Sequence, residues 1–257
     1  MKQLIVNADD FGFTRDVNAG IVHAHRNGIL TSTTLMANGD AFDDAVRLAH
    51  ETPTLDVGCH LVLVQGTSLR TGDPYPEKLT GVVGALATRR LDAYAELRPQ
   101  IEKILAAGIR PTHLDTHKHT HVAPVVFRAV VRLAHEFGIP YVRLPLDAAV
   151  AWAAWPLAAV KRFYMNMARP FHVRTTDHFL GFRLTGSLDG ETLAAALENL
   201  PEGLTEFMCH PGFLGPELQR AATRLKESRV RELEALTSRR IRELVTGGGI
   251  HLRPFRT

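Results

Sequence analysis

Hydrophobic positions along this chain fall into short apolar runs separated by stretches with helical spacing. The apolar runs predict a strand that begins at Leu4 and further strands at residues 29–36, 55–64, 111–115, 141–144, 178–184, 205–209 and 250–252. Apolar residues at three- and four-residue spacing predict helices at residues 16–27, 41–50, 91–107, 125–137, 188–199 and 228–244. Strands that alternate with helices predict a parallel sheet, closed or nearly closed into a barrel.

Two segments do not follow this alternation. Residues 65–84 contain two prolines and no clear period, which predicts a loop over one end of the fold. Residues 148–160 carry Trp152 and Trp155 among alanines and are followed by two basic residues. This apolar run is too short to cross a bilayer, so we expect either contact with a membrane surface or a core helix with a dimer contact.

Length and composition narrow the class of protein. The 257 residues fit one domain spanning residues 1–257, and 45% hydrophobic content is enough to bury a substantial core. A formal net charge of +3 with scattered Lys and Arg argues against nucleic-acid binding. The sequence has no signal-peptide pattern, no membrane-spanning run and only two cysteines, which predicts a reduced, cytoplasmic protein.

Two adjacent acids, Asp9 and Asp10, end the first predicted strand. Neighbouring side chains on a regular strand point to opposite faces, so the two carboxylates can take different tasks. One could hold a cation while the other moves protons. The alternative is a solvated turn in which an aspartate caps the following helix.

Residues 113–121 place four histidines and Asp115 at every second position. A regular strand would put all five on one face, whereas a helix would align His113, His117 and His121. A strand that ends near Asp115 puts His117 over the rim of the sheet, with His113 and Asp115 supporting it. His119 and His121 would line the pocket or face solvent.

Asp10, His60 and His117 together form a predicted metal site. One carboxylate and two imidazoles make a familiar facial set that leaves positions open for water and substrate. His210 precedes a Pro-Gly pair that restricts it to an extended backbone, and from a rigid rim it could donate a proton. Glu206 would orient His210 from the same strand; the alternative is an ordinary buried histidine near a turn.

These stretches resemble the YdjC-like carbohydrate deacetylases, the family that includes chitooligosaccharide deacetylase. The match lies in residues 7–12, 58–61, 113–117 and 208–211, in the family's order, and residues 31–34 with 38–39 also fit. The resemblance implies a distorted, TIM-like (β/α) barrel and removal of N-acetyl groups from amino sugars. It implies one divalent cation, Mg²⁺ or Zn²⁺, held by Asp10, His60 and His117. Asp9 would then be the general base and His210 the general acid.

Four further residues are expected to support the ligands or to contact substrate. They are His113, Asp115, Arg143 and Glu206.

Residues 59–64, 116–121 and 177–181 resemble the hopanoid-biosynthesis members of the family more than the chitobiose enzymes. This finer resemblance implies an N-acetylglucosaminyl hopanoid as substrate, and we expect a homodimer with peripheral contact to the inner membrane face. The segment between His60 and His113 is short for the family, which leaves the shape of the substrate cover open.

Two other functions stay open at this stage. Asp/His sites at barrel rims also serve metal-dependent phosphoesterases, although this chain has no glycine-rich phosphate loop and no obvious second ligand set. A non-enzymatic sugar-binding protein would need none of the five residues Asp9, Asp10, His60, His117 and His210.

Overall fold

The computed structural model describes residues 1–146 and 157–256, and its centre is one sheet of parallel strands. The strands are β1 (Lys2–Phe11), β2 (Ser32–Leu35), β3 (Asp56–Leu61), β4 (His113–Thr116), β5 (Tyr141–Val142), β6 (His178–Leu180), β7 (Gly203–Cys209) and β8 (Ile250–Leu252). Each corresponds to a predicted strand, with bounds that differ by a few residues.

Helices follow most of the strands. They are α1 (Arg15–Asn27), α2 (Phe42–Glu51), α3 (Leu79–Ala87), α4 (Ala93–Ala106), α5 (Pro124–Glu136), α6 (Leu157–Ala168), α7 (Gly190–Glu198), α8 (Pro216–Arg220), α9 (Glu227–Thr237) and α10 (Arg239–Gly247). Thr14 caps α1 and Asp189 forms a capping box on α7, which fixes where these helices begin.

The neighbour order of the sheet is β5-β4-β3-β2-β1-β7-β6, and all of its pairings are parallel. The long strand β1 is central. Its one edge pairs with β7, and its other edge pairs first with β8, at residues 2–4, and then with β2, from residue 7 to residue 11. This confirms the predicted α/β class with a parallel sheet.

A distorted TIM-like barrel, closed or nearly closed, was predicted, and the structure shows a curled parallel sheet that forms part of such a barrel. Within the two described ranges the sheet curls, and β5 and β6 remain its end strands. An isolated bridge joins Tyr141 of β5 to Arg174, which precedes β6 in the chain. The strand β5 is only two residues long, so it offers too little backbone for a continuous ladder.

Three element predictions are corrected. The predicted loop at residues 65–84 runs into α3, which begins at Leu79. The predicted helix at residues 228–244 is two helices, because Ser238 is extended and its hydroxyl caps the amide of Ile241. The predicted strand at residues 178–184 stops at Leu180 because Gly181 takes a φ of +108°.

The core lies between the sheet and its helices. Leu4, Ile5, Val6 and Ala8 on β1 are all fully buried, as expected for a strand covered on both faces. Among the described residues, no helix is long and apolar enough to span a membrane. Trp152 and Trp155, on which the predicted membrane or dimer contact depends, lie outside those residues.

Candidate active site

A cavity of about 600 Å³ opens at the carboxyl ends of the strands. All five residues that the sequence predicts as ligands or proton carriers line it: Asp9, Asp10, His60, His117 and His210. Parallel strands present their carboxyl ends at one edge of a sheet, and this brings together residues far apart in sequence.

The end of β1 is irregular, which puts both acids on the same cavity. Between Ala8 and Phe11 the register with β2 shifts: β1 advances by three residues over the length in which β2 advances by two. Asp10 takes a φ of +70°, a left-handed conformation that a non-glycine residue adopts at a cost. The alternation expected of a regular strand is thereby broken, and Asp9 and Asp10 are 2% and 3% exposed.

Asp10, His60 and His117 converge on one point. Oδ1 of Asp10 lies 3.4 Å from Nε2 of His60 and 3.2 Å from Nδ1 of His117. The two imidazole nitrogens are 3.2 Å apart. A cation about 2.0–2.2 Å from each ligand requires ligand separations of about 3.0–3.5 Å, so the three atoms fit a metal ion.

The free oxygen of Asp10 supports the same reading. Oδ1 is buried and accepts no hydrogen bond within the described part of the chain, whereas Oδ2 accepts one from the Arg229 guanidinium. Burial alone would raise the pKa of Asp10, but Arg229, His117 and His60 outweigh it and hold that pKa well below its usual range. The carboxylate is therefore ionised, and its Oδ1 is available to bind a cation.

His60 is oriented by Asp115, one strand away. Nδ1 of His60 lies 2.7 Å from Oδ1 of Asp115, which leaves Nε2 for the metal site. Thr34 also donates to Asp115, at 3.1 Å. Burial lowers the pKa of His60, but Asp115 and Asp10 raise it to about 10, so a bound cation has to displace a proton.

Arg143 is fully buried and joins three carboxylates. Its two terminal nitrogens bind the oxygens of Asp9 at 2.8 and 2.7 Å, and its Nε donates to Glu206 at 2.7 Å. One of the terminal nitrogens also lies 2.6 Å from Asp115. Burial opposes ionisation of Asp9, but the guanidinium prevails and lowers the pKa of Asp9. Asp9 is thus a fixed, ionised carboxylate.

His210 follows β7 and is 8% exposed. Its backbone amide donates to Glu232 at 2.6 Å, while its Nδ1 is buried without a partner among the described residues. Burial lowers the pKa of His210 to about 4, although Asp9 and Asp10 raise it in part. The imidazole is therefore neutral at pH 7 in the resting site.

The sequence also proposed Glu206 as the residue that orients His210. In the structure Oε1 of Glu206 binds Arg143 instead, and Oε2 has no partner in the described ranges. Glu232, on α9, takes the contact with His210. Strand parity suggested a contact with His210 but could not show which neighbour the carboxylate of Glu206 meets.

The other histidines of residues 113–121 differ in their positions and contacts. His113 is buried in the sheet, stacks on Phe255 and lies 2.9 Å from Asn7, so it does not line the cavity. His121 is buried between Thr116 and the carbonyl of Arg143. His119 lines the cavity beside Lys118.

Arg229 and Glu232 were missed by the sequence analysis. They stand three residues apart on α9, where an arginine and a glutamate ordinarily form an exposed pair. Both are 1% exposed here, and the residues they meet lie 219 and 22 positions away. No local signal in the sequence distinguishes them from surface charges.

The cavity has an apolar rim and continues into a second lobe. Leu79 and Phe182 stand at the rim and are 46% and 38% exposed. The second lobe, of about 510 Å³, shares His117 with the first and is lined by both apolar and polar residues, with Asn38 and Glu217 among the polar ones.

Comparison with known proteins gives a consistent picture. The family model described as YdjC-like protein matches residues 3–246. A carbohydrate deacetylase of Geobacillus stearothermophilus is 34% identical over 99% of this chain and 97% of that protein. A chitooligosaccharide deacetylase of Salmonella paratyphi C (strain RKS4594) is 35% identical over 96% of each. A crystal structure from Enterococcus faecalis V583, provisionally described as a cellobiose-phosphate cleavage protein, has a TM-score of 0.80 at 29% identity and covers 99% of this chain and 97% of that one.

Proposed function

The chain belongs to the YdjC-like family, and from that premise we propose that it is a metal-dependent carbohydrate deacetylase. It is a hydrolase that removes the N-acetyl group from a substrate containing N-acetylglucosamine. The observation that carries the proposal is the convergence of Asp10, His60 and His117 within 3.4 Å of one another, beside Asp9 and His210.

Asp10, His60 and His117 would hold the cation through Oδ1, Nε2 and Nδ1. A divalent ion bound there polarises a carbonyl oxygen and lowers the pKa of water. The ligand set of one oxygen and two nitrogens suits Zn²⁺ and also accepts Mg²⁺, Mn²⁺ or Co²⁺.

Asp9 accepts the proton of the attacking water. It is ionised and its plane is fixed by the two hydrogen bonds from Arg143, so its position is set before substrate binds. Arg143 also lowers the basicity of Asp9, because it stabilises the ionised form. A cation held by Asp10, His60 and His117 would offset this loss of basicity, because it would lower the pKa of water beside Asp9.

His210 donates a proton to the departing amine. Since the pKa of His210 is about 4, the imidazole is neutral at pH 7 and must take up from solvent the proton that it then donates. The charges of Asp9 and Asp10 favour the protonated form, and exclusion of water by the substrate strengthens their effect.

For the substrate we propose an N-acetylglucosaminyl hopanoid glycolipid. The apolar rim formed by Leu79 and Phe182 supports an apolar group attached to the sugar. A deacetylase of chitobiose-type oligosaccharides is the alternative, and the polar side chains of the second lobe, Asn38 and Glu217 among them, support it because a second sugar ring needs hydroxyl-binding groups.

Acetate release tests this function. The purified chain is incubated with N,N′-diacetylchitobiose and with an N-acetylglucosaminyl lipid, each with and without a chelator. We expect acetate from at least one substrate and its loss with chelator. Release of phosphate from sugar phosphates without acetate would indicate a phosphoesterase, and binding without any release would indicate a sugar-binding protein.

Membrane contact and dimerisation remain predictions. The described helix α6 exposes Phe163 at 51% and Met165 at 36%, which supports a contact surface on this helix. Flotation with liposomes and the molar mass in solution test the two predictions separately.

A further inference from the structure

His119 differs from the buried histidines next to it in the sequence. Both ring nitrogens of His113 lie 2.9 Å from a side-chain oxygen, and those of His121 lie 2.5 and 3.0 Å from oxygens of the fold. These contacts fix the tautomer of each ring, and the hydrogen-bonding capacity of both rings is used within the fold. The Nδ1 of His119, in contrast, is buried without a partner in residues 1–146 and 157–256.

The backbone that carries His119 is strained. After β4 the chain makes a tight turn in which Lys118 and His119 both have a φ of +51°. Two successive non-glycine residues in the left-handed region are costly, and the surrounding fold has to maintain them. The turn places His119 on the cavity that Asp9 and His210 also line. Strain at this point therefore serves to present a side chain rather than to complete the core.

The surroundings of His119 hold its ring in place. Phe182 and Phe179 lie 5.1 and 5.9 Å from the ring, measured between centroids. Because Nδ1 has no partner among the described residues, it is available to a ligand bound in the cavity that His119 lines.

We propose that His119 is a substrate-binding residue whose Nδ1 pairs with a hydroxyl group of the amino-sugar ring. A hydroxyl group both donates and accepts, so it matches Nδ1 in either tautomer. The neighbouring Phe182 would cover an apolar face of the same ring. This inference rests on the proposed function, because it names one of the contacts that would hold the substrate.

Three substitutions of His119 test the role of Nδ1. His119→Ala removes the ring, His119→Asn keeps a polar atom at the position of Nδ1, and His119→Gln keeps one at the position of Nε2. Asparagine also tolerates the left-handed backbone. His178→Ala is the matched control, because His178 is exposed and bonds the carbonyl of Glu202, away from the cavity.

The first measurement is steady-state acetate release from N,N′-diacetylchitobiose at equal metal loading. We expect His119→Ala and His119→Gln to raise KM about tenfold with kcat nearly unchanged, which marks loss of ground-state binding. His119→Asn should restore KM to within about threefold of wild type. Metal content and unfolding temperature should not fall in any of the three variants.

The second measurement does not need turnover. Binding of N,N′-diacetylchitobiose to metal-loaded Asp9→Asn protein is followed by calorimetry, with and without His119→Ala. We expect about tenfold weaker binding with the substitution. If the wild type releases no acetate but this loss of binding is found, the proposed function fails and the role of His119 stands.

Three outcomes would overturn the inference. One is a KM for His119→Ala equal to that of wild type, and another is equal rescue by Asn and Gln. The third is a loss of metal or of folding in His119→Ala that accounts for its defect. Absence of sugar binding in every protein, the wild type included, would contradict both the inference and the proposed function.

Discussion

At the scale of single residues, backbone strain is concentrated at the cavity. Six non-glycine residues of the described chain have a positive φ, and four of them line the cavity: Asp10, Gln65, Lys118 and His119. Such conformations cost about 1–3 kcal/mol each and persist only where the fold enforces them. Their clustering marks the functional site independently of its chemistry.

Substitution of the two adjacent acids, Asp9 and Asp10, should have different effects. We expect Asp9→Asn to keep the metal and to lower kcat by about 10²–10⁴-fold, because it removes the proton acceptor. The matched variant Asp10→Asn should lose metal, because it removes an ionised ligand. Metal content and acetate release are measured on both, with unfolding temperature as control. Full turnover by Asp9→Asn would remove Asp9 from the mechanism.

The role of His210 as general acid can be tested by changing the leaving group of the substrate. An amine must be protonated to depart, whereas a phenolate leaves readily without it. We therefore expect His210→Ala to lower kcat about 10²-fold or more on an N-acetyl substrate but only slightly on p-nitrophenyl acetate. Asp9→Asn should impair both reactions. An equal loss on the two substrates would show that His210 does not act as the acid.

The meeting of the three proposed ligands could be predicted from sequence more readily than the residues that orient them. Asp10 and His60 lie near the ends of β1 and β3, and His117 directly follows β4, so their meeting follows from the parallel sheet. Arg229 could not be predicted, because its contact with Asp10 depends on how α9 packs over the end of β1. Glu206 was expected to orient His210, yet its partner is Arg143.

At the scale of elements, the segment between β3 and α3 is anchored to α4. Glu96 on α4 is buried and accepts hydrogen bonds from Ser68, Arg70 and Tyr75. The same segment contributes Gln65 to both lobes of the cavity. Its position over the cavity therefore depends in part on this carboxylate, beside contacts such as that of Asn38 with the carbonyl of Thr67.

Removing that carboxylate should free the segment. We expect Glu96→Ala to raise KM several-fold and to expose residues 66–78 to proteolysis, because three donors lose their common acceptor. The matched control is Glu102→Ala on the exposed side of the same helix, where the partner is only Arg98. Limited proteolysis and kinetics are compared, with metal content expected to be unchanged. Equal protease resistance in both variants would contradict the anchoring role.

Element types followed from the sequence more readily than element ends. The strands were identified from short continuous apolar runs, which reflect burial on both faces of the sheet. The break at Ser238 and the turn at Lys118 were missed, since each depends on backbone angles that apolar spacing does not report. The closure of the sheet was also overestimated, because hydrophobic pattern does not reveal that β5 pairs over only two residues.

At the scale of the whole molecule, buried carboxylates make stability depend on pH. Burial raises the pKa of Glu206 from 4.5 to about 7, although Arg143 opposes this. Between these pH values the folded state holds a proton that the unfolded state has released. The free energy of unfolding therefore falls as pH rises from 4.5 to 7, and this contribution is lost above 7.

Glu206→Gln should remove this dependence. We expect the variant to exceed wild type by on the order of 2–3 kcal/mol at pH 8 and to match it near pH 4. Urea unfolding in the presence of chelator measures the difference at each pH. Glu198→Gln, at an exposed position on α7, is the control and should differ little from wild type. If the free energy of unfolding of Glu206→Gln differed from that of wild type by the same amount at every pH, titration of Glu206 would be excluded as the cause of the difference.

The central place of β1 has a consequence for how the protein assembles. Lys2 pairs with Gly203 and with Ile250, so β1 has only β2 as a nearby partner until most of the chain has been synthesised. Closing such long loops is entropically slow, and a nascent chain that already carries Asp10 still lacks Arg229 to hold it. Capture of the cation should therefore coincide with the last phase of refolding, when the two distant strands dock.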